Sequence, residues 1–287
     1  MSEEKFREIK GAFRVSERPQ FSALTFNMQN AEPWEGPGAE PQPDIQQTLD
    51  FLNTQDADLL FLQEVERGYD GGRQVNPPPN FEILRAGLPG YFGAFAYPAA
   101  NPDELPFGLG LAIFCRTPLE GVWSENLPAP GCRFNFGGRE RRPSQRGLLG
   151  AQTHLAGTNI TVFNTHLQAF FMIGASSDEF RQQRDRIEQV LRSTPARTLL
   201  AGDFNCAPGE SLLAQFHSAG FRPVQTTEPT WKRMPYVLDH IFFNDGLELL
   251  SHEVISTNAS DHHAVRATFQ IRPTGSGDRT QNASGAL

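Results

Sequence analysis

The sequence predicts a mixed α/β fold, and three observations carry that reading. Apolar runs of strand length outnumber helical stretches. The clearest helical stretches are amphipathic, with a single apolar face. Polar, acidic and imidazole side chains gather where the apolar runs stop, which is where α/β folds place their active sites.

Residues 1–20 are polar and helix-compatible, and read as an N-terminal extension. The run 21–26 opens the body as a strand, ends at Asn27 and enters a Pro-, Gly- and Glu-rich loop over 30–43. From Asp44 to about Thr54, a capping Asp and apolar Ile45, Leu49 and Leu52 predict a helix. Residues 58–65 follow as a buried strand. Clustered turn residues make 71–79, 99–108 and 128–147 loops. Between and after them, 110–116, 147–153 and 159–167 read as strands. Residues 178–191 form a helix with Phe180, Ile187, Val190 and Leu191 on its apolar side. A short strand over 198–201 stops at Gly202-Asp203, and 212–218 is a helix. Strands over 237–243 and 264–271 complete the body, and the Gly/Ser/Thr/Asn-rich stretch 273–287 reads as a disordered tail.

The 287 residues are 38% hydrophobic and 20% charged, enough apolar content for a packed core. A net charge of −8 does not advertise a nucleic-acid surface, which usually shows a basic patch. Cys115, Cys132 and Cys206 are odd in number and lack C-x-x-C spacing, so they read as reduced thiols. The charged start MSEEKFREIK has no signal-like apolar run, and no window nears the roughly 18 apolar residues of a membrane span. The expectation is a soluble, cytoplasmic monomer.

Chemistry concentrates at the ends of the apolar runs. Asn27, Gln63-Glu64, Asn164-Thr-His166, Gly202-Asp203-Phe-Asn205, Asp239 and Ser260-Asp261-His262 share this address. Any one is an ordinary solvated strand end, but six in one chain are not. Oxygen-rich ligands suit a hard cation such as Mg²⁺, whereas the scattered cysteines and unpatterned histidines do not suit zinc. Phosphodiester hydrolysis needs charge neutralisation at the phosphoryl oxygens, an oriented water and a proton route. A carboxylate-held metal, an Asp/Asn pair and an Asp–His pair supply all three.

The ordered set of Asn27, Gln63-Glu64, His166, Gly202-Asp203-Phe-Asn205, Asp239 and Ser260-Asp261-His262 resembles the endonuclease/exonuclease/phosphatase family, the deoxyribonuclease I-like superfamily. The resemblance runs from about residue 21 to residue 271. It implies a four-layer α/β sandwich, two face-packed mixed sheets flanked by helices, with a catalytic domain over 21–272. It implies Glu64, Asn27 and Asp261 as the metal side, binding Mg²⁺ with Mn²⁺ as a substitute. It implies Asp203 and Asn205 as the pair that orients the water, His262 paired with Asp239, and His166 as the second histidine. Which group activates the water stays open.

The substrate is less specified. The resemblance puts a nucleic-acid phosphodiester such as DNA first, followed by a sphingomyelinase-like lipid or small-molecule phosphoester. A catalytically inactive binding module is the contrasting reading. Arg133, Arg139, Arg141, Arg142 and Arg146 form the local basic cluster, in an expected loop that reads either as a contact for substrate phosphates or an anionic surface, or as a solvated stretch. Trp34 and Trp123 read as loop tryptophans for stacking or packing, and Tyr91 and Tyr97 as candidates for an active-site tyrosine. Gln63 reads equally as a site or supporting residue, and Asn164 as a supporting one. His240 and His263 read as packing or surface residues, His154, His217 and His252 as surface ones. The run 169–173 reads as a cap on the core.

Overall fold

A computed structural model of the protein describes residues 20–40, 42–67, 73–98 and 109–273. The expected extension and tail lie almost wholly outside these residues, as do 68–72 and 99–108. In chain order the first half comprises β1 (Gln20–Asn27), α1 (Ile45–Gln55), β2 (Leu59–Glu66), α2 (Pro79–Gly87), β3 (Phe92–Ala96) and β4 (Leu109–Cys115). It continues through β5 (Glu120–Asn126), β6 (Phe134–Phe136), β7 (Arg139–Arg141), β8 (Gly147–Leu155) and β9 (Thr158–His166). The remainder is α3 (Gln182–Arg192), β10 (Thr198–Asp203), α4 (Leu212–Ser218), β11 (Arg222–Pro223), β12 (Asp239–Phe243), β13 (Leu247–Ile255) and β14 (Ala264–Ile271).

Period-two alternation decides the layers. On β1, Phe21 and Ala23 face a core shared with Phe61, Ile113, Leu149, Val162, Leu199, Ile241 and Phe269. Leu24 and Phe26 point the other way, onto Leu49 and Leu52 of α1 and Leu84 of α2. The second sheet repeats the logic, with Phe163, Leu200 and Phe242 against Ile187, Leu191, Leu212 and Phe216. Both sheets bury both faces, and each fully buried Phe or Leu contributes about 1.5–3 kcal/mol. The result is the four-layer sandwich expected from the sequence. One sheet has the order β13-β14-β1-β2-β4-β3 and the other β11-β12-β10-β9-β8-β5. Strand pairs β1–β2 and β9–β10 are parallel, so their polar ends emerge on one side.

Several local expectations are corrected. The helix expected from 178 starts at Gln182, because Asp178 is taken by Ser211, whose backbone N and Oγ both donate to it. The expected loop over 128–147 contains the β6–β7 hairpin, turned by Gly137 and Gly138, both with positive φ. Trp123 lies on β5 rather than in a loop, and its indole packs over Gly150, where a Cβ would come within 2.6 Å. Tyr91 donates its hydroxyl to Ala57 O at 2.5 Å, a packing role. Among the 169–173 residues only Phe170 caps the core; Met172 is 61% exposed.

Candidate active site

Three neighbouring strands of the second sheet set the floor of the site. Asp203 ends β10 in register with His166 on β9 and Asp239 on β12, so the three side chains emerge side by side. Gly202 permits this: a Cβ there would lie 2.0 Å from Thr165 O, so only glycine lets β10 approach β9. Thr230 Oγ1 accepts from the backbone N of Leu238 and of Asp239, 3.0 Å each, fixing the start of β12.

The first sheet supplies the opposite wall. Asn27 ends β1, and Glu64 sits in an irregularity of β2 between Gln63 and Glu66 with φ of 51°. A left-handed Glu costs about 1–2 kcal/mol, and a bulge there re-aims its side chain toward the site. Asn27 Nδ2 donates to Glu64 Oε1 and to Asp203 Oδ2, both at 3.0 Å, and so ties one sheet to the other. Its amide oxygen accepts from the backbone N of Gln29. Beneath them, Gln63 donates to Asn164 Oδ1 at 2.7 Å, and Asn164 donates to the carbonyls of Leu62 and Ala112. Gln63 is wholly buried in this bridge. It supports the floor, as does Asn164.

The loop before β14 closes the ring. Ser260 Oγ donates to Asn27 O at 2.7 Å, and Lys232 Nζ donates to Ser260 O at 2.8 Å. His262 then lies with Nδ1 2.8 Å from Asp239 Oδ2 and Nε2 3.8 Å from Asp203 Oδ2. His166 Nε2 stands 3.5 Å from that same Asp203 oxygen and 3.9 Å from Glu64 Oε1. Asp261 Oδ2 accepts from Arg233 Nε at 2.6 Å and from Trp231 Nε1 at 3.2 Å, while its Oδ1 lies 3.9 Å from His262 Nε2. Asn205, left-handed at φ 46°, donates its backbone N to Asp203 Oδ1 and its Nδ2 to Leu167 O. All eight residues expected at the site therefore meet at one end of the sandwich.

The electrostatics are uneven. Burial pushes the Glu64 carboxyl up to about 7, against the help of Asn27. Burial and the Asp239 charge also raise Asp203 well above the ordinary carboxylate range. Burial alone would lower His262, but the charge and hydrogen bond of Asp239, with Asp203 and Asp261 behind it, raise it to about 10. His166 goes the other way: burial, Arg146 and His262 hold it well below its usual value, so it is neutral. One imidazolium and one neutral imidazole thus flank Asp203.

The donor set fits a hard divalent cation. Four carboxylates converge, Asp239 Oδ1 is buried without a hydrogen-bond partner, and burial, with a carboxylate neighbour behind it, raises the proton affinity of Glu64 and Asp203. Asp203, Asp239 and His262 bring ligand atoms within 4.8 Å of one another. The His262–Asp239 hydrogen bond occupies part of that trio. Asn27 and Asn205 donate to the two oxygens of Asp203, and Asn27 to Glu64 Oε1, whereas Asp239 Oδ1 is buried without a partner. Crowded carboxylates of this kind are what Mg²⁺ or Mn²⁺ neutralises.

Two site residues gave no sequence signal. Trp231 and Arg233 hold Asp261, and Arg233 also lies 4.9 Å over the Trp34 ring. Arg146, of the basic cluster read as phosphate contacts or as a solvated loop, is only 7% exposed and touches Gln168. His240 is buried against Phe204 and Phe242, a packing residue that burial lowers to about 4. His154, His217 and His252 are exposed.

The endonuclease/exonuclease/phosphatase family matches residues 24–262 of the chain. A UPF0294 protein of Yersinia pseudotuberculosis serotype O:1b is 26% identical over 223 residues, 75% of this chain and 74% of that protein. An endonuclease/exonuclease/phosphatase from Beutenbergia cavernae superposes with a TM-score of 0.65 at 20% identity, covering 88% of this chain and 72% of that one. The human Nocturnin catalytic domain with bound sulfate gives 0.62 at 18% identity, covering 88% and 94%. D. rerio TDP2 complexed with single strand DNA product gives 0.55 at 18%, covering 88% and 99%. With its six-stranded sheets and the span of that match, the chain belongs to the endonuclease/exonuclease/phosphatase family, whose members are in general phosphoester hydrolases.

Proposed function

We propose that this protein is a magnesium-dependent phosphodiester hydrolase in which water attacks phosphorus at the carboxylate-lined mouth. The observation that carries the reading is the placement of two histidines on one carboxylate oxygen, with His166 Nε2 3.5 Å and His262 Nε2 3.8 Å from Asp203 Oδ2. Glu64 is the principal metal ligand, with Asp261 alongside, and Asn27 fixes the Glu64 oxygen through its amide. Bound Mg²⁺ would neutralise the phosphoryl oxygens and the Glu64–Asp203 charge.

The chain's own groups then divide the work. Asp203, oriented by the Asn205 backbone N, holds the attacking water. His262, kept charged by Asp239, stabilises negative charge on a phosphoryl oxygen through Nε2. His166, neutral, donates one hydrogen bond to the phosphoryl group or its departing oxygen. The full set Glu64, Asp203, Asn205, Asp239, Asp261 and His262 supports catalysis over a scaffold role.

For the substrate, a nucleic-acid phosphodiester draws support from the aromatic wall beside Asp261. Phe171 meets Trp231 and Tyr236 edge-on at 5.7 and 5.5 Å, and Trp34 stands near. Such rings suit stacked bases, and the TDP2 complex with a DNA strand is in keeping with this. A lipid-headgroup or small-molecule diester is the second reading, favoured by exposed Met172 and Phe136 on the other side of the mouth. The free thiols of Cys115, Cys132 and Cys206 suit a reducing cytoplasm, with the chain acting as a monomer. No helix among the described residues is long and apolar enough to cross a membrane.

The test is hydrolysis of plasmid DNA, an abasic-site duplex, sphingomyelin and a chromogenic phosphodiester, with Mg²⁺, with chelator, and with Glu64→Ala. Cleavage that needs metal and is lost in the variant is the expected result and names the substrate class. Cleavage that survives chelation, or survives Glu64→Ala, overturns the assignment.

A further inference from the structure

The turn after His166 sends its side chains three ways. Phe170 stacks on Phe180 in the core, Phe171 faces Trp231, and Met172 and Ile173 turn to the opposite side. There they meet Phe134, Phe136 and Pro143 of the β6–β7 region around a slot of about 120 Å³. Ala169 forms part of its wall, and Arg146, Gln168 and Ser144 supply its polar side.

Two features tie this slot to the phosphoester centre. Arg146 lines it and also lines a narrower cleft with His166 and Gly147. The Arg146 charge acts on both Glu64 and His166, so the guanidinium stands between slot and mouth. Gln168, which holds Arg146 at 3.5 Å, is itself two residues beyond His166. An anion at the mouth therefore has a cation on its slot side, and past that cation the walls turn apolar.

We infer that this slot is a subsite for an apolar aryl or short alkyl substituent of the phosphoester, seated while the phosphoryl group engages the mouth. The inference rests on the hydrolase reading and, within it, sides with the second substrate class, a small-molecule diester with one compact apolar arm, over a nucleic acid. The volume fits: an apolar cavity of about 150 Å³ accommodates one benzene ring, and this slot is slightly smaller and open on one side. Met172 at 61% exposure and Phe136 at 50% would both lose water contact against such a group. Ala169 is the small residue that keeps the space, and its φ of −77° admits a larger side chain.

The experiment uses the full chain with Mg²⁺ and reads binding apart from turnover. Calorimetry compares phenylphosphonate with methylphosphonate for the native protein, for Ala169→Leu, which fills the slot, and for the exposed Met172→Ser. The native protein is expected to prefer the phenyl probe by about tenfold to thirtyfold, from the apolar area one ring face removes from water. Both variants should bring that ratio toward one. In parallel, kcat/KM is measured for p-nitrophenyl phosphodiesters whose second group is phenyl, butyl or methyl, so that the leaving group is constant. A native ratio near one, absence of binding by the phenyl probe, or a ratio untouched by both substitutions overturns the subsite. Hydrolysis without dependence on the second group, together with equal phosphonate binding, leaves the hydrolase reading standing and removes the slot. A phenyl preference in binding without hydrolysis of any diester does the reverse.

Discussion

Two polar networks in this molecule, one half open to water and one buried, are built on opposite principles. Beside α3, Arg184 is 1% exposed and donates to Ser177 Oγ at 3.0 Å, to Ser211 Oγ at 2.9 Å and to Asp178. Glu210 next to it accepts from Ser176 Oγ, Ser177 N and Oγ, and Ala207 N. Both carboxylates there have donors in place, although Arg184 Nε is buried without a partner, and the Ser211 hydrogen bonds and Arg184 bring the Asp178 carboxyl down to about 2. At the mouth four carboxylates converge, and burial first, then the Asp261 charge, raises Glu64 to about 7. A structural network lowers the proton affinity of its acids; the catalytic one raises it and leaves room for a cation to settle the charge.

The largest way to break the contrast is Glu64→Gln. It should lower hydrolysis by about 10³-fold or more, roughly 4 kcal/mol of transition-state stabilisation. In chelator, its thermal midpoint should not fall below that of the native protein, because a buried unfavourable charge has been removed. A lower midpoint would mean that Glu64 is structural. Asp239→Asn comes next. Without that carboxylate, His262 should titrate well below its native value of about 10, followed by NMR, with a rate loss of about 10²-fold or more. A histidine that stays charged in the variant would show that Asp203 and Asp261 suffice.

Arg184→Met attacks the other network. It strands Asp178 and two serines, and should cost about 3 kcal/mol in urea unfolding while kcat of the folded fraction is retained. Magnesium should move stability by a similar amount in the opposite direction, about 2.7 kcal/mol at a hundredfold excess over its Kd. Its pH dependence has a definite sign. Glu64 binds its proton more tightly folded, at about 7, than unfolded, at 4.5. Its contribution without metal is therefore full below pH 4.5 and lost as pH rises through about 7. Protons and Mg²⁺ compete for the same oxygens, so metal stabilisation should weaken as pH falls below about 7 and be absent in Glu64→Gln.

The same contrast explains what could be read before the fold was known. Strands buried on both faces, such as β2 and β10, are unbroken apolar runs ending in polar residues, and both sequence features were visible. The edge strands β5 and β13 were not, because Glu120–Asn126 and Leu247–Ile255 are exposed along much of their length and carry little alternation. The helix α2 hid behind Pro77, Pro78 and Pro79, residues that suit a helix start as well as a loop. At the site, the carboxylates and histidines were legible as strand ends. Trp231 and Arg233 were not, because each acts from a loop on a group remote in sequence, and only folding brings them together.

The smallest effect separates the two networks most cleanly. Asp178 has a folded value of about 2, below the ordinary 3.8, so its contribution is present above pH 3.8 and lost as pH falls through about 2. Its side chain is 40% exposed, and water screens the pair, so Asp178→Asn should remove no more than about 1 kcal/mol at pH 7. The variant should also lose less stability than the native protein between pH 4 and 2. Glu64→Gln should instead differ from the native protein between about pH 4.5 and 7, with the opposite sign: the variant gains relative stability as pH rises. Urea unfolding of the three proteins in chelator, across pH 2 to 8, therefore gives two difference curves of opposite slope in separate windows. If both substitutions changed stability in one window with one sign, the carboxylates would share an environment, and the division into a satisfied network and an unsatisfied one would fail.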